Sequence, residues 1–188
     1  MAWSDFWWEP VRFAWLAAPV VVAALVHVVV LRFRWLEQLR VPLDGGAVWR
    51  GRRIFGDNKT VRGAVVMIGV STLTAILQGV FRLPSLEYFD YGAANLPLLG
   101  MLLGLGFVLG ELPNSFVKRQ LGVAPGAHGG VWHTLADQLD SVVGALLTLS
   151  LIWVAPWHVW VTALVLGTGL HMAVNGVFVL LGVKRHIF

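Results

Sequence analysis

The sequence predicts an all-α integral membrane protein with about five transmembrane helices, and three observations carry that prediction. Of its 188 residues, 57% are apolar and only 13% are charged, whereas a soluble domain carries roughly 25% charged residues. A water-facing surface has to be covered by something polar, so a shortfall of this size points to lipid as the solvent, and the mean hydropathy of +0.75 agrees. Ten tryptophans suit a chain with two membrane–water interfaces, where amphipathic rings sit at headgroup level. Finally, the basic residues are divided very unevenly between the loops.

A spanning helix needs about 20 mostly apolar residues. The first candidate covers residues 13–31. The second covers residues 63–80 and is the most polar, with Ser71, Thr72, Thr74 and Gln78. The third covers residues 96–116, where Gly100 with Gly104 and Gly106 with Gly110 give two small-xxx-small spacings, a pattern of close helix packing. The fourth covers residues 135–154, and after a tight turn at Pro156 the fifth covers residues 157–183. With no internal repeat and no linker, residues 1–188 read as one polytopic domain. Its active-site loops are expected at about 32–62 and 117–134. There is no cysteine, so disulfides and thiolate metal sites do not arise. Trp3, Asp5, Trp7, Trp8 and Glu9 make a poor basic leader, and no cleavable signal peptide is expected.

Lysine and arginine set the expected orientation. With five spans, one side collects Arg32, Arg34, Arg40, Arg50, Arg52, Arg53, Lys59, Arg62, Lys118, Arg119, Lys184 and Arg185, and the other has only Arg12 and Arg82. Twelve against two puts the basic loops and the C-terminus in the cytoplasm and the N-terminus outside. The net charge of +4 is then a matter of membrane orientation and phosphate binding. It does not call for nucleic acid as a partner.

Three segments on that side hold more polar detail than a connection requires. Gly51-Arg52-Arg53-Ile54-Phe55-Gly56-Asp57-Asn58-Lys59-Thr60-Val61-Arg62-Gly63 is a glycine-punctuated basic loop without the GxxxxGK[ST] spacing. Its glycines allow close backbone approach, and Lys59 and Arg62 suit phosphate oxygens. On charge alone it also reads as an ordinary cytoplasmic turn. In Gly110-Glu111-Leu112-Pro113-Asn114-Ser115-Phe116-Val117-Lys118-Arg119, a continuing helix places Glu111, Ser115 and Lys118 on one face. Glu111 closes a nearly uncharged span, where an ionised carboxylate is costly and wants a partner, whether Lys118, Arg119 or a metal. Asp137 and Asp140, in Ala136-Asp137-Gln138-Leu139-Asp140-Ser141, are one turn apart. They suit either a hard cation such as Mg2+, which takes one or two carboxylates plus water and phosphate, or a helix N-terminus. His128 and His133 lie in or beside the flexible stretch between these segments, and His171 and Asn175 are i, i+4 in the last span. Carboxylates for a cation and bases for phosphate, gathered at one interface, are what phosphoryl or nucleotidyl transfer uses.

These segments resemble the CDP-archaeol synthase family, relatives of the membrane phosphatidate cytidylyltransferases. Residues 51–63 are similar to that family's first cytoplasmic motif, Gly110-Glu111 through Arg119 with Pro125-Gly126 to its second, and Asp137-Gln138-Leu139-Asp140 to its third. His171, Asn175 and Lys184 match its C-terminal pattern, so the resemblance runs from about residue 42 to 185. Glu111 stands where the family usually has aspartate, and His128-Gly129-Gly130 resembles the broader cytidylyltransferase group.

The resemblance implies that CMP passes from CTP to a lipid phosphate, giving a CDP-activated lipid and pyrophosphate. It implies Mg2+ held by Asp137 and Asp140 with Glu111 assisting, and catalytic roles for Lys59, Ser115, Lys118, Arg119, Asp137 and Asp140. Gly56, Asp57, Asn58, Lys59, Thr60, Arg62, Lys118 and Arg119 would bind the nucleotide and phosphates. The partners it implies are CTP, a lipid phosphate of archaetidic or phosphatidic type and the bilayer. Another membrane lipid phosphotransferase or phosphatase stays open as an alternative, as does a non-enzymatic cation-binding transporter or lipid-binding protein.

Overall fold

The computed structural model describes residues 7–124 and 131–182, with 131–135 as backbone only. Its five long helices are α1 (Glu9–Arg32), α2 (Val61–Val80), α3 (Leu96–Gln120), α4 (Val131–Leu149) and α5 (Trp157–Leu180). Among the described residues, α1, α2, α3 and α5 are long and apolar enough to cross a membrane, while α4 has 19 residues and carries the two aspartates. Helix α5 passes through one π-turn at Ala163–Gly167. Leu73, Ile76, Leu77, Val80, Val161 and Val165 stand exposed on the outside of the bundle, as a lipid-facing surface requires.

The helix ends follow from local chemistry. Thr60 caps α2, its hydroxyl accepting the Gly63 N–H at 3.2 Å, so the helix starts before Gly63 and takes in Arg62. Asn95 caps α3 through the Leu98 N–H at 3.1 Å, with Pro97 in the first turn. Helix α3 does not stop near residue 116. It runs through Pro113 to Gln120, with Lys118 and Arg119 in a last turn where the helix dipole favours cations. The fourth helix begins four residues before the expected 135 and ends at Leu149, whose carbonyl accepts both the Ile152 and Trp153 N–H groups at 3.0 Å. Trp153 then turns away to pack on Tyr88 and Phe89, with ring centroids at 5.8 and 4.9 Å.

Helix α3 is the centre of the bundle, and its two glycine pairs face two different neighbours. A Cβ at Gly100 or Gly104 would stand 2.4 Å from the Ser71 carbonyl oxygen or 2.7 Å from that of Met67, both on α2. At Gly106 or Gly110 it would stand 2.4 Å from the Gly144 carbonyl oxygen or 2.2 Å from that of Asp140, both on α4. Gly144 answers from the other side, 2.2 Å from the Gly106 carbonyl oxygen. Backbone thus lies on backbone along both seams. Phe13, Leu16, Leu99, Leu103, Leu146, Leu149 and Val159 form the main apolar cluster.

The two ends of the bundle differ. At the N-terminal end, the buried Glu9 carboxylate accepts the Tyr88 hydroxyl at 2.7 Å. Arg12 donates to the Glu87 carbonyl at 2.8 Å and lies over the Tyr88 ring. Arg82 grips Glu87 at 2.8 and 3.1 Å and Asp90 at 2.7 Å. Both basic residues of that side are therefore neutralised locally. The opposite end carries loop 33–60, which adds a small hairpin to the otherwise helical fold: β1 (Val48–Trp49) pairs antiparallel with β2 (Arg52–Arg53). Arg50 and Gly51 between them have φ of 49° and 77°, the left-handed pair of a type I′ turn.

The glycine seam predicts a specific sensitivity. Gly110→Ala forces α3 off α4 and should lower the melting temperature of the detergent-solubilised protein, as overpacking of about 1–3 kcal/mol does. Gly69→Ala, where a Cβ meets nothing within 4 Å, should leave it unchanged.

Candidate active site

The first part of the site is a loop folded around one buried carboxylate. Asp44 accepts the backbone N–H groups of Gly46 at 3.0 Å, Phe55 at 2.9 Å and Gly56 at 3.0 Å, and the Arg53 guanidinium at 2.6 Å. Burial works against its charge. The Arg53 bond and the three N–H groups outweigh burial and hold the carboxyl well below the ordinary carboxylate range. Arg53 also binds Asp57 at 2.7 Å, and its own pKa is raised, first by Asp44 and then by Asp57. At the base of the loop, the Leu43 N–H donates to the Lys59 carbonyl and the Val61 N–H to the Val41 carbonyl, both at 2.8 Å. Arg52 donates to the Gln120 carbonyl and the Gln120 amide to the Arg53 carbonyl, which ties the hairpin to the end of α3.

The second part is the seam between α3 and α4. Close approach at Gly110 brings the next turns of α3 against Asp137 and Asp140. One amide group, Asn114 Nδ2, donates to Asp137 Oδ1 at 2.6 Å and to Asp140 Oδ2 at 2.8 Å. Lys118, buried on α3, pairs with the other oxygen of Asp137, and the Ser141 N–H donates to Asp140 Oδ1 at 2.6 Å. Glu111, one turn from Asn114, pairs with Lys59 from the loop and lies within electrostatic reach of Asp140. So two carboxylates converge on one amide group, and each of their oxygens keeps a lone pair for a further ligand. Hard oxygen donors of this kind, in this number, fit a Mg2+ ion that keeps water and phosphate as its other ligands. Among the described residues no group of three or more His, Asp or Glu side chains forms a metal cage.

Two cavities meet this framework. A smaller recess of about 340 Å³ is lined by Arg52, Arg53, Gly56, Asp57, Arg119 and residues 122–124. Arg119 is only 8% exposed, and among the described residues its Nε and one Nη have no hydrogen-bond partner. A buried guanidinium of this kind calls for an anion. The larger cavity, of about 500 Å³, has Asn58, Lys59, Thr60 and Glu111 at one end and runs past Val20 and Leu103 to Phe13 and Leu149. The loop is the boundary: Gly56 and Asp57 line the recess, and the next three residues line the apolar cavity.

The structure brings most of the sequence-predicted residues together. Gly56, Asp57, Asn58, Lys59 and Thr60 form the boundary loop, and Glu111, Lys118, Asp137 and Asp140 form the polar seam. Glu111 pairs with Lys59 from the loop, across 52 residues of sequence. Arg62 does not join the other bases. It is buried against Glu37 at 2.6 Å and the Trp35 carbonyl at 3.3 Å, and it lines neither cavity. Ser115 is buried on α3 and lines neither cavity. His128, Pro125, Gly126, Lys184 and Arg185 and the side chain of His133 lie outside the described residues. Sequence reasoning misses Asp44, Asn114, Arg52, Arg53 and Gln120 as site residues. The Asp44-Gly45-Gly46 turn signature was the visible signal for the first, whereas the roles of Asn114 and Gln120 depend on which helix and hairpin lie opposite.

The loop's dependence on Asp44 has a pH signature. A carboxyl whose folded pKa is depressed stabilises the fold above its unfolded value, near 3.8, and that contribution fades as pH falls below it. Hydrogen exchange should show the Phe55 and Gly56 amides protected at pH 5 and progressively less so below about pH 3. In Asp44→Asn the protection should already be lost at pH 5.

Comparison with known proteins identifies the family. Residues 14–188 match the family model described as CarS-like, CDP-archaeol synthase. The CDP-archaeol synthase of Methanosphaerula palustris is 37% identical over 154 residues, covering 76% of this chain and 87% of that protein. That of Methanospirillum hungatei is 36% identical over 159 residues, covering 77% and 88%, and that of Halobacterium salinarum is 35% identical over 150 residues, covering 76% and 81%. A solved intramembrane enzyme of archaeal membrane lipid biosynthesis superposes with a TM-score of 0.64 at 29% identity, covering 86% of this chain and 91% of that one. With a family match over nearly its whole length and relatives above 30% identity, this chain belongs to the CDP-archaeol synthase family.

Proposed function

We propose that the protein transfers CMP from CTP to a lipid phosphate of the archaetidic type, at the end of the bundle that carries loop 33–60, and that this end faces the cytoplasm. The observation that carries the reading is the meeting of a cationic recess and a long apolar cavity at residues 56–60. One reactant is water-soluble and highly anionic and the other is amphipathic, and a boundary between such compartments is where the two can touch. Names of the relatives support the lipid class, and the count of basic residues on the two sides supports the orientation.

The chemistry is a displacement at phosphorus. An oxygen of the lipid phosphate bonds to the α-phosphorus of CTP, the bond from that phosphorus to the β-bridging oxygen breaks, and pyrophosphate leaves with the electron pair. A phosphate monoester has its second pKa near 6, so the nucleophile is already ionised and no strong general base is needed. The work is positioning and neutralisation. Arg52, Arg53 and Arg119 receive the triphosphate, with the Gly56 and Asp57 backbone set by Asp44. Lys59 directs the lipid phosphate out of the apolar cavity towards it, with Glu111 orienting the ammonium, while Asn58 and Thr60 line the approach. Asp137 and Asp140, with Glu111 assisting, would hold Mg2+, and Asn114 and Lys118 keep the two aspartates converged. When bound, Mg2+ supplies charge neutralisation on the triphosphate. Arg62 and Ser115 act from behind, Arg62 fixing the start of α2 through Glu37.

The test is label transfer. Purified protein receives labelled CTP, Mg2+ and either archaetidic or phosphatidic acid, and label is followed into the lipid phase. Archaetidic acid should be labelled, and an Asp137→Ala, Asp140→Ala double variant should lose at least about 100-fold in rate. Full activity in that variant would remove the aspartates from the mechanism.

A further inference from the structure

Four polar side chains of the large cavity have no part in the transfer step: His27, Ser141, His171 and Asn175. Polar groups among apolar helices are costly and tend to mark function. His27 meets the Phe178 ring edge-on, with centroids at 6.4 Å. The other three belong together. His171 Nδ1 lies 3.3 Å from the Ser141 hydroxyl, and Ser141 is the fully buried residue next to Asp140. On its other side the imidazole packs against Phe107, with ring centroids at 5.7 Å. Asn175 is one turn further along the same face of α5 and is 6% exposed. A ring fixed by a hydroxyl at Nδ1 and by an aromatic neighbour has its orientation set in advance. If Ser141 donates to Nδ1, the proton sits on Nε2, which becomes a donor.

The cavity therefore has two kinds of donor. Lys59 is the only ammonium among its described lining residues and suits the phosphate. With its proton on Nε2, His171 is like Asn175 an uncharged donor, and such donors match acceptor-only oxygens that carry no charge. A lipid phosphate has such oxygens where its glycerol joins the phosphate to the two chains.

We propose that His171, oriented by Ser141 and Phe107, forms with Asn175 a seat for the glycerol-linked oxygens of the lipid phosphate. The pair thereby positions the phosphate at Lys59. The inference rests on the cytidylyltransferase reading of the site. His171 is a binding and positioning residue for one of the two substrates, and its loss separates their kinetics.

The experiment measures KM for a dialkylglycerol phosphate and for CTP in wild type, His171→Leu and His171→Gln. Leucine keeps the packing against Phe107 and removes the donor, whereas glutamine keeps a side-chain N–H. The expected result is a KM for the lipid raised about tenfold in His171→Leu, largely restored in His171→Gln, with the KM for CTP unchanged in both. Equal lipid KM values in the two variants would overturn the proposal, as would a CTP KM that rises in parallel or loss of activity in both variants. A wild type that forms no CDP-lipid overturns the underlying reading itself, and that outcome is distinguished because it precedes any variant.

Discussion

Backbone contact between α3 and α4 is the constraint on which the site depends. Gly106, Gly110 and Gly144 have no side chains to hold the two helices apart, and a Cβ at Gly110 would already stand 2.2 Å from the Asp140 carbonyl oxygen. Only at that separation can one short side chain, Asn114, reach Asp137 and Asp140 together. A wider helix pair would leave two carboxylates and a lysine unsatisfied near the membrane boundary, where each is costly. The same helix uses Gly100 and Gly104 to settle on α2, which brings Thr60 and Lys59 at the start of α2 up to Glu111. Tight packing and polar chemistry are thus one arrangement, with the glycines a turn or two from the charges they position.

The second organising element is the loop that Asp44 gathers. It turns a run of arginines, which would repel one another in an open chain, into a recess with defined walls. Arg53 is held by Asp44 and Asp57 and Arg52 by the Gln120 carbonyl, whereas Arg119 has buried nitrogens that no described residue satisfies. Positive charge is concentrated where a polyanion can use it. The opposite end of the bundle shows the converse. There Arg12 and Arg82 are tied into Glu87, Asp90 and the Tyr88 ring, and the same residue types are paired within the protein.

Much of this was legible in the sequence, and the rest was hidden for identifiable reasons. Length and hydropathy locate the helices because lipid penalises every interruption. The expected start of the second span at residue 63 misses the cap at Thr60, whose hydroxyl begins the helix at Val61, ahead of the polar Arg62. Hydropathy does not mark the extension of α3 beyond residue 116 to Gln120, because that last turn is held by tertiary contacts of Lys118 and by the hairpin on Gln120. Asp137 and Asp140 could be placed on one face from their spacing alone. Lys59 could not be paired with Glu111 from sequence, since 52 residues separate them and both Lys118 and Arg119 were nearer candidates. Arg62 shows the limit of reading charge: it belongs to the basic motif, yet Glu37 and a backbone carbonyl claim it. The boundary role of residues 56–60 is a property of the space on either side of them.

The central claim is that the two compartments meet so that the lipid phosphate attacks the α-phosphorus of CTP. It is tested most directly by where each phosphorus atom ends up. Purified protein would be given Mg2+, archaetidic acid and CTP labelled at either the α or the γ position. The account predicts α label in the lipid phase and γ label released in water as pyrophosphate. The appearance of γ label in the lipid, or of α label in free CMP with none in the lipid, would contradict it.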